Sequence, residues 1–395
     1  MSQEKIYKSI KYRIFPTDEQ KVILNEYFGA RRWCWNYLHN LIFNTDYMQN
    51  TEKHAASKIS LRNHIRKNGP EWIAEGSKRI NVTLVENTAE DFSIAYGMYY
   101  KKAKLFLKEA RIDEATKYKP KYKTKKESKQ SFSISKKNDT SFRIIDGKIN
   151  VNMTKHVDRQ TFYTKKNIKL DIKSIKRVVF HYSNGKYYMG IVYEIQVPEK
   201  PYISGSRVGI DLGLKTAAVC YDGNKYFEYN IPDMVEKLKL KRNKIASKFY
   251  KSKKYSKNSI RLLKRLRKAY KRTYSYRDNW QDHIVNELCK KYETIIIDEM
   301  PVLGKGPKTH NTRKTSIAVG RFMVRFNLKS EELQNSIIVI KPGTPTTQTC
   351  SNCGNIKQKE EKLKLYNRTY KCLECGHEQD RDENAAKNVY NYNYK

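Results

Sequence analysis

Side chains alternate in a strand-like run from Ile10 to Phe15, which stops at Pro16. Thr17, with Gln20 three residues on, then forms a capping-box signature for a helix start. From there to about Arg111 the spacing is helical. Leu84, Thr88, Phe92, Ala95, Tyr96 and Tyr99 fall on one face, and Lys101, Lys102 and Lys104 follow them. The pattern predicts a helical bundle with a basic rim. Lys117 to Lys137 is almost purely basic and polar, with Tyr118, Tyr122 and Phe132 interleaved. It reads as an extended segment contacting phosphates, against the plainer alternative of a solvated linker. The period then falls to two. Phe142, Ile144, Ile149, Val151 and Met153 flank Asp146-Gly147, and a run from Val178 to Ile195 flanks Asn184-Gly185, each a two-residue hairpin turn. Two hairpins plus the first strand predict a small β-barrel interrupted by the helical segment. Pro198, Pro201 and Gly205 mark the next boundary.

Beyond Arg207 the pattern is that of an α/β domain. Val208 to Leu212 reads as a strand and Thr216 to Tyr221 as its hairpin partner. Leu238 to Tyr276 is a long basic helical region with Leu262, Leu266, Ala269 and Tyr270 as its apolar stripe. Ile284, Val285, Leu288 and Cys289 continue a helix into the buried strand Thr294–Ile297.

Charge narrows the class of partner. The 395 residues include 80 Lys and Arg against 41 Asp and Glu, a formal +39 spread over the whole chain. So large an excess repels itself unless a polyanion neutralises it, and 30 Tyr and 4 Trp supply stacking surfaces among the cations. Nucleic acid is the partner this predicts, ahead of a membrane surface or a ribosome-associated role. Met1 to Lys8 has no apolar core of a signal sequence and no stretch reaches spanning length, which predicts a soluble, intracellular protein with no membrane partner.

Against this background the carboxylates stand out. Asp211 ends the strand Val-Gly-Ile-Asp-Leu-Gly, where Gly209 and Gly213 leave room for close backbone approach. Asp298 and Glu299 end the next buried strand, and Asp380 and Asp382 precede Asn384-Ala385-Ala386-Lys387-Asn388 at the first turn of a final helix. Singly, a strand-end Asp is more often a turn or cap residue. Three converging carboxylates repel one another, and divalent cations between them remove that repulsion. Two such ions about 3.5–4 Å apart suit phosphodiester displacement. The cysteines form a second constellation. Cys350-x2-Cys353, eighteen residues, then Cys372-x2-Cys375 is four-thiolate zinc spacing, with Gly354 and Gly376 directly after each pair. A closed set of four makes the zinc structural. The eight histidines form no metal-spaced pair, and His377 is superfluous as a ligand.

Gly209-Ile210-Asp211-Leu212-Gly213 with Lys215 and Ala217 resembles the first RuvC motif, Ile295-Ile296-Ile297-Asp298-Glu299-Met300-Pro301 the second, and Asp380-Arg381-Asp382-Glu383-Asn384-Ala385-Ala386 the third. Their order, with a zinc ribbon before the third motif, resembles the TnpB/Fanzor family of transposon-associated nucleases and the compact type V CRISPR effectors. Tyr12-Arg13-Ile14-Phe15-Pro16-Thr17 and Phe28-Gly29-Ala30-Arg31-Arg32 extend the resemblance over nearly the whole chain.

The resemblance implies a multidomain α+β fold. It places a wedge-like split β-barrel at 1–18 and 118–200, a helical recognition lobe at 19–117, and an RNase H-like RuvC nuclease domain at 201–395 with its zinc ribbon at about 345–380. It implies an RNA-guided DNA endonuclease whose partners are a guide RNA and double-stranded target DNA beside a short flanking motif. It further implies a monomer within the ribonucleoprotein, cytoplasmic in a prokaryote and nuclear in a eukaryote or virus. Asp211, Glu299 and Asp382 become ligands of Mg²⁺ or Mn²⁺, and Cys350, Cys353, Cys372 and Cys375 ligands of Zn²⁺. The second motif departs from the family's Glu-Asp-Leu or Glu-Asn-Leu, so Asp298 remains the alternative to Glu299. A catalytically inactive RNA-guided binder and a transposase acting on element ends are the competing readings.

Overall fold

The computed structural model describes residues 6–392 apart from 49–55, 75–78, 109–115, 127–128, 139–140, 154–158, 198–199, 214–215, 299–316, 342, 359–360 and 365. The chain divides into two compact units, Met1–Gln196 and Val197–Lys395. Pro198, Lys215 and Glu299 lie outside the described residues.

In the first unit β1 (Ile6–Ile14) leads to helix α1 (Asp18–Asn44), which starts at the expected capping box: the Thr17 hydroxyl accepts from the Gln20 amide and the Gln20 side chain returns the bond. Helices α2 (Lys58–Asn68) and α3 (Val82–Lys108) follow. The remaining elements are strands β2 (Lys129–Ser135), β3 (Phe142–Ile145), β4 (Lys148–Val151), β5 (Gln160–Thr161), β6 (Ile175–Ser183) and β7 (Lys186–Ile195). Both foreseen turns are present. Asp146 and Gly147, and likewise Asn184 and Gly185, all have positive φ, the conformation that matches a two-residue turn to strand twist.

The predicted barrel does not form among the described residues. The strands make an open four-stranded sheet, β1-β7-β6-β2, and a separate three-stranded sheet, β3-β4-β5. The reason lies at the β2 edge, where side chains of α3 take the place of a closing strand. Asn87 Nδ2 donates to the Ser133 carbonyl at 3.1 Å, and the Ser135 amide donates to Thr83 Oγ1 at 3.2 Å. Edge groups satisfied by a helix need no barrel closure. The basic segment also differs from expectation. Its second part is β2, whose Phe132 packs in the core against Tyr27, Phe28 and Phe180 and is no stacking surface for a ligand. Its first part runs along α1, with Trp35 Nε1 bonded to the Lys121 carbonyl and Asn36 exchanging bonds with the Lys123 backbone.

The second unit is built on a mixed sheet of order β10-β9-β8-β11-β12. Strands β8 (Ile203–Asp211), β9 (Ala218–Tyr221) and β10 (Tyr226–Tyr229) form an antiparallel meander, whereas β11 (Tyr292–Asp298) and β12 (Ser336–Val339) run parallel to β8. The apolar strands bury Val208, Ile210, Ile295 and Ile297 against Ile284, Leu288, Phe322 and Phe326. Those four residues come from α5 (Lys257–Lys291) and α6 (Val319–Leu333). The basic region foreseen as one helical stretch is two helices, because α4 (Asp233–Tyr250) ends in a turn at 251–256 before α5 begins. The chain closes with a two-stranded ribbon, β13 (Thr369–Lys371) and β14 (Glu378–Asp380), and helix α7 (Arg381–Tyr390). No helix among the described residues is long and apolar enough to cross a membrane.

Candidate active site and metal centre

Strands β8 and β11 end side by side, with Asp211 and Asp298 opposite each other in the parallel register. Residues paired in this way present their side chains to the same face. The third carboxylate arrives from α7, which packs on β8 because Gly209 has no side chain. A Cβ there would lie 2.6 Å from the Ala386 carbonyl oxygen, inside any real contact distance. Ala385 and Ala386 are fully buried, so the helix contributes equally small residues at the contact. Gly209→Ala is therefore expected to push α7 outward and cost about 1–3 kcal/mol, the usual range for overpacking. Thermal unfolding checks this, and an unchanged midpoint would contradict the close approach.

Asp382 is held from two sides. Its backbone N–H donates to Asp380 Oδ1, the helix N-cap, at 2.8 Å. Its carboxylate pairs with the Arg381 guanidinium at 2.9 Å and with that of Arg368. Asp298 accepts from the Thr346 hydroxyl. Asp211 lies deepest, its carboxyl enclosed by neighbouring atoms although part of the residue still meets solvent. Burial first, then the negative charges of Asp382 and Asp298, push its pKa up to about 8, while Arg381 and Arg368 pull the other way. Burial also raises Asp298, opposed by the Thr346 hydrogen bond. A cleft of about 340 Å³ opens beside Asp382, lined by Thr216, Tyr226, Phe227, Glu228, Arg368 and Asp380 among others.

These placements test whether a cation suits the site. An acid that resists ionising at neutral pH because it is buried and two other acids face it is a group whose charge a divalent ion would stabilise. The donor chemistry fits a hard, oxygen-seeking cation. The carboxylates are not gathered as tightly as the cysteines, the one group of three or more such side chains among the described residues already placed to hold a metal. Arg368, Arg381 and Thr346 were not singled out by the sequence reading, because nothing in their spacing announces a partner.

In the ribbon the four sulfurs of Cys350, Cys353, Cys372 and Cys375 all lie within 4.8 Å of one another. Cys350 and Cys375 are 3.7 Å apart, Cys353 and Cys372 3.6 Å. A tetrahedron of thiolates at about 2.3 Å from a zinc ion has edges of about 3.8 Å, so the quartet fits that ion. Gly354 and Gly376 take positive φ, as the knuckles require. His377 instead faces Gln379 and Ser351. Asn384 of α7, fully buried, accepts from the Ser351 amide at 2.9 Å and donates to the Thr349 carbonyl at 2.8 Å. Asn388 donates to the Thr346 and Thr349 carbonyls. Two asparagines thus fasten the helix bearing Asp382 to the first cysteine knuckle and to the residue bonded to Asp298.

The geometry defines a class of protein: a basic chain with carboxylates at adjoining strand ends and on the last helix, buttressed by a four-cysteine ribbon. Family models match three parts of the chain. They are described as a Cas12f1-like TNB domain (residues 320–389), a probable transposase of the IS605 OrfB type (residues 190–305) and a helix-turn-helix domain of the same type (residues 1–47). The chain is similar to proteins of the IS605 OrfB and TnpB-like group. A Streptomyces pristinaespiralis protein named "Putative RNA-guided DNA endonuclease" is 20% identical, covering 98% of this chain and 89% of its own. "Putative transposase A625R" of Paramecium bursaria Chlorella virus 1 is 21% identical, covering 98% and 87%. Among solved structures, Cas12f1 in a complex with single-guide RNA and target DNA has the same fold, with a TM-score of 0.53 at 15% identity over 98% of this chain and 99% of that one.

Proposed function

We propose that the chain is an RNA-guided DNA endonuclease that holds a guide RNA, admits matching double-stranded DNA beside a short flanking motif, and cuts it at the carboxylates Asp211, Asp298 and Asp382. The observation that carries this reading is the meeting of Asp211, Asp298 and Asp382 on one face of a chain with a formal charge of +39. Acidic groups so placed repel phosphate unless cations intervene, whereas the surrounding Lys and Arg attract it. A relative spanning nearly the whole chain carries an endonuclease name, and the sheet order is consistent with an RNase H-like nuclease domain over 201–395.

Asp211 and Asp382, with Asp298 or Glu299, would hold Mg²⁺ or Mn²⁺. Once bound, such ions supply positive charge to the attacking and leaving oxygens of the phosphodiester. The chain's own contribution is to aim the carboxylates. Strand pairing fixes Asp211 beside Asp298, and the Asp380 cap and the two arginines fix Asp382. The cysteine quartet would hold zinc with no open position, a structural role that keeps the ribbon and α7 in place.

The longer reach of its side chain favours Glu299 as the third ligand, whereas the ungapped match to the family motif and the register beside Asp211 favour Asp298. Strand β11 ends at Asp298 and Glu299 lies outside the described residues, so variants must decide between the two. Cleavage rates of Asp298→Ala and Glu299→Ala decide it. One variant is expected to lose activity by about a hundredfold or more, the scale of removing a preorganised charge contact. Full activity in both would overturn the three-carboxylate site.

A further inference from the structure

The α4–α5 hairpin carries a surface that the acidic cleft does not use. From Lys237 to Arg277 eighteen of 41 residues are Lys or Arg and none is acidic. Leu262 and Leu266 of α5 are buried, while Arg265 and Arg267 beside them face solvent. A stretch this rich in cations and without an acid repels itself, and a polyanion relieves that.

The tip is more specific than a charged turn. Tyr255 is 83% exposed and Tyr250 76% exposed, and Tyr255 is the most exposed large apolar or aromatic side chain among the described residues. Tyr255 also has φ +65, the left-handed region where Gly or Asn costs least and a bulky ring costs most. A turn with no task beyond reversing the chain would put a small polar residue there. The tip is a defined structure. The Lys251 amide donates to the Ser247 carbonyl at 3.1 Å, the Ser252 amide to the Phe249 carbonyl at 3.1 Å, and the Ser256 amide to the Lys253 carbonyl at 3.2 Å. Lys254 Nζ stands 5.5 Å from the Tyr255 ring centre and Phe249 backs Tyr250 at 5.3 Å, so both rings are supported at their bases and open to solvent beyond.

We propose that this tip is a stacking platform for unpaired nucleic-acid bases, with Tyr250 and Tyr255 offering ring faces and Lys251, Lys253, Lys254 and Lys257 receiving the flanking phosphates. Exposed rings among uncompensated cations are what a single strand needs, because every base has a face to stack and every linkage a charge to neutralise. A paired duplex offers its phosphates to such a tip but hides its base faces. RNA and DNA share this chemistry, and the test separates them.

The full chain, with its ribbon zinc retained and no Mg²⁺ or Mn²⁺ added, is irradiated with single-stranded RNA carrying 5-iodouridine and, separately, with DNA carrying 5-iododeoxyuridine, and the adducts are mapped by peptide mass spectrometry. Omitting Mg²⁺ and Mn²⁺ keeps the result independent of cleavage at Asp211, so the platform and the nuclease reading fail separately. Adducts at Tyr250 or Tyr255 are expected with one or both strands, and the strand that reacts identifies the ligand. The triple variant Lys251→Gln, Lys253→Gln, Lys254→Gln is expected to lose those adducts with its thermal midpoint unchanged, since all three side chains are exposed. Adducts confined to other residues in both experiments would overturn the platform, as would adducts that persist in the lysine variant.

Discussion

Replacing Asp211 with asparagine is expected to reduce metal-dependent DNA cleavage by about a thousandfold or more, on the scale of losing a principal charge-stabilising group. The same change is expected to make the Mg²⁺-free protein more stable at neutral pH. Folding raises the Asp211 pKa from near 4 to about 8, so the folded chain retains a proton that the unfolded chain has lost across that window. A state that binds the extra proton loses stability as pH rises, and an amide escapes this loss. The gain is expected to be absent near pH 4 and to reach about 2 kcal/mol or more at pH 7.5, at 1.36 kcal/mol per pKa unit. Thermal melts at both pH values, run without added Mg²⁺ and with the ribbon zinc retained, read it directly. A variant that melts lower at pH 7.5 would mean that Asp211 serves packing rather than a charged site.

The second large effect concerns the ribbon. Stripping the metal with a strong chelator, or introducing Cys372→Ser, is expected to abolish cleavage without unfolding the first unit. Structural zinc contributes about 10–16 kcal/mol of apparent binding energy in small zinc modules. The ribbon's apolar core is small: among the described residues its buried apolar side chains are Cys350, Tyr370 and Cys372, with Leu363 beside them. Loss of the knuckles releases the Ser351 and Thr349 backbone that fastens Asn384, and with it the helix presenting Asp382. Hydrogen exchange should rise at β13, β14 and the start of α7 while the sheet β1-β7-β6-β2 stays protected. Unchanged protection in the ribbon after chelation would contradict a zinc-held structure.

What could be read in advance was local or carried by fixed spacing. Thr17 with Gln20, Asp146-Gly147 and Asn184-Gly185 each set their own backbone through neighbouring atoms, and each forms where it was expected. The cysteine spacing places four sulfurs together because two short knuckles leave them few alternatives. The rest depended on distant partners. β2 is mostly polar, three serines with a lysine and a glutamine around Phe132 and Ile134, and becomes a strand because α3 satisfies one edge and Phe180 covers Phe132. The break between α4 and α5 contains neither Gly nor Pro, and rests on a tyrosine in the left-handed region. Arg368 reaches Asp382 only because the ribbon hairpin sets Thr369 opposite Asp380.

The family names divide between transposase and endonuclease, and the first unit bears on that division. Residues 1–47 match a helix-turn-helix model, yet here they form a strand and one unbroken helix, Asp18–Asn44, followed only by a short 3₁₀ turn. A second helix set to enter a major groove is absent from that segment among the described residues.

The most direct test is to purify the full chain with the nucleic acid that accompanies it from the cell, sequence that material, and challenge the complex with matched and mismatched double-stranded DNA libraries, with and without Mg²⁺. The account predicts one discrete RNA, and Mg²⁺-dependent cutting confined to matched DNA beside a common flanking motif. Cutting of DNA that proceeds equally after the RNA is removed would contradict it.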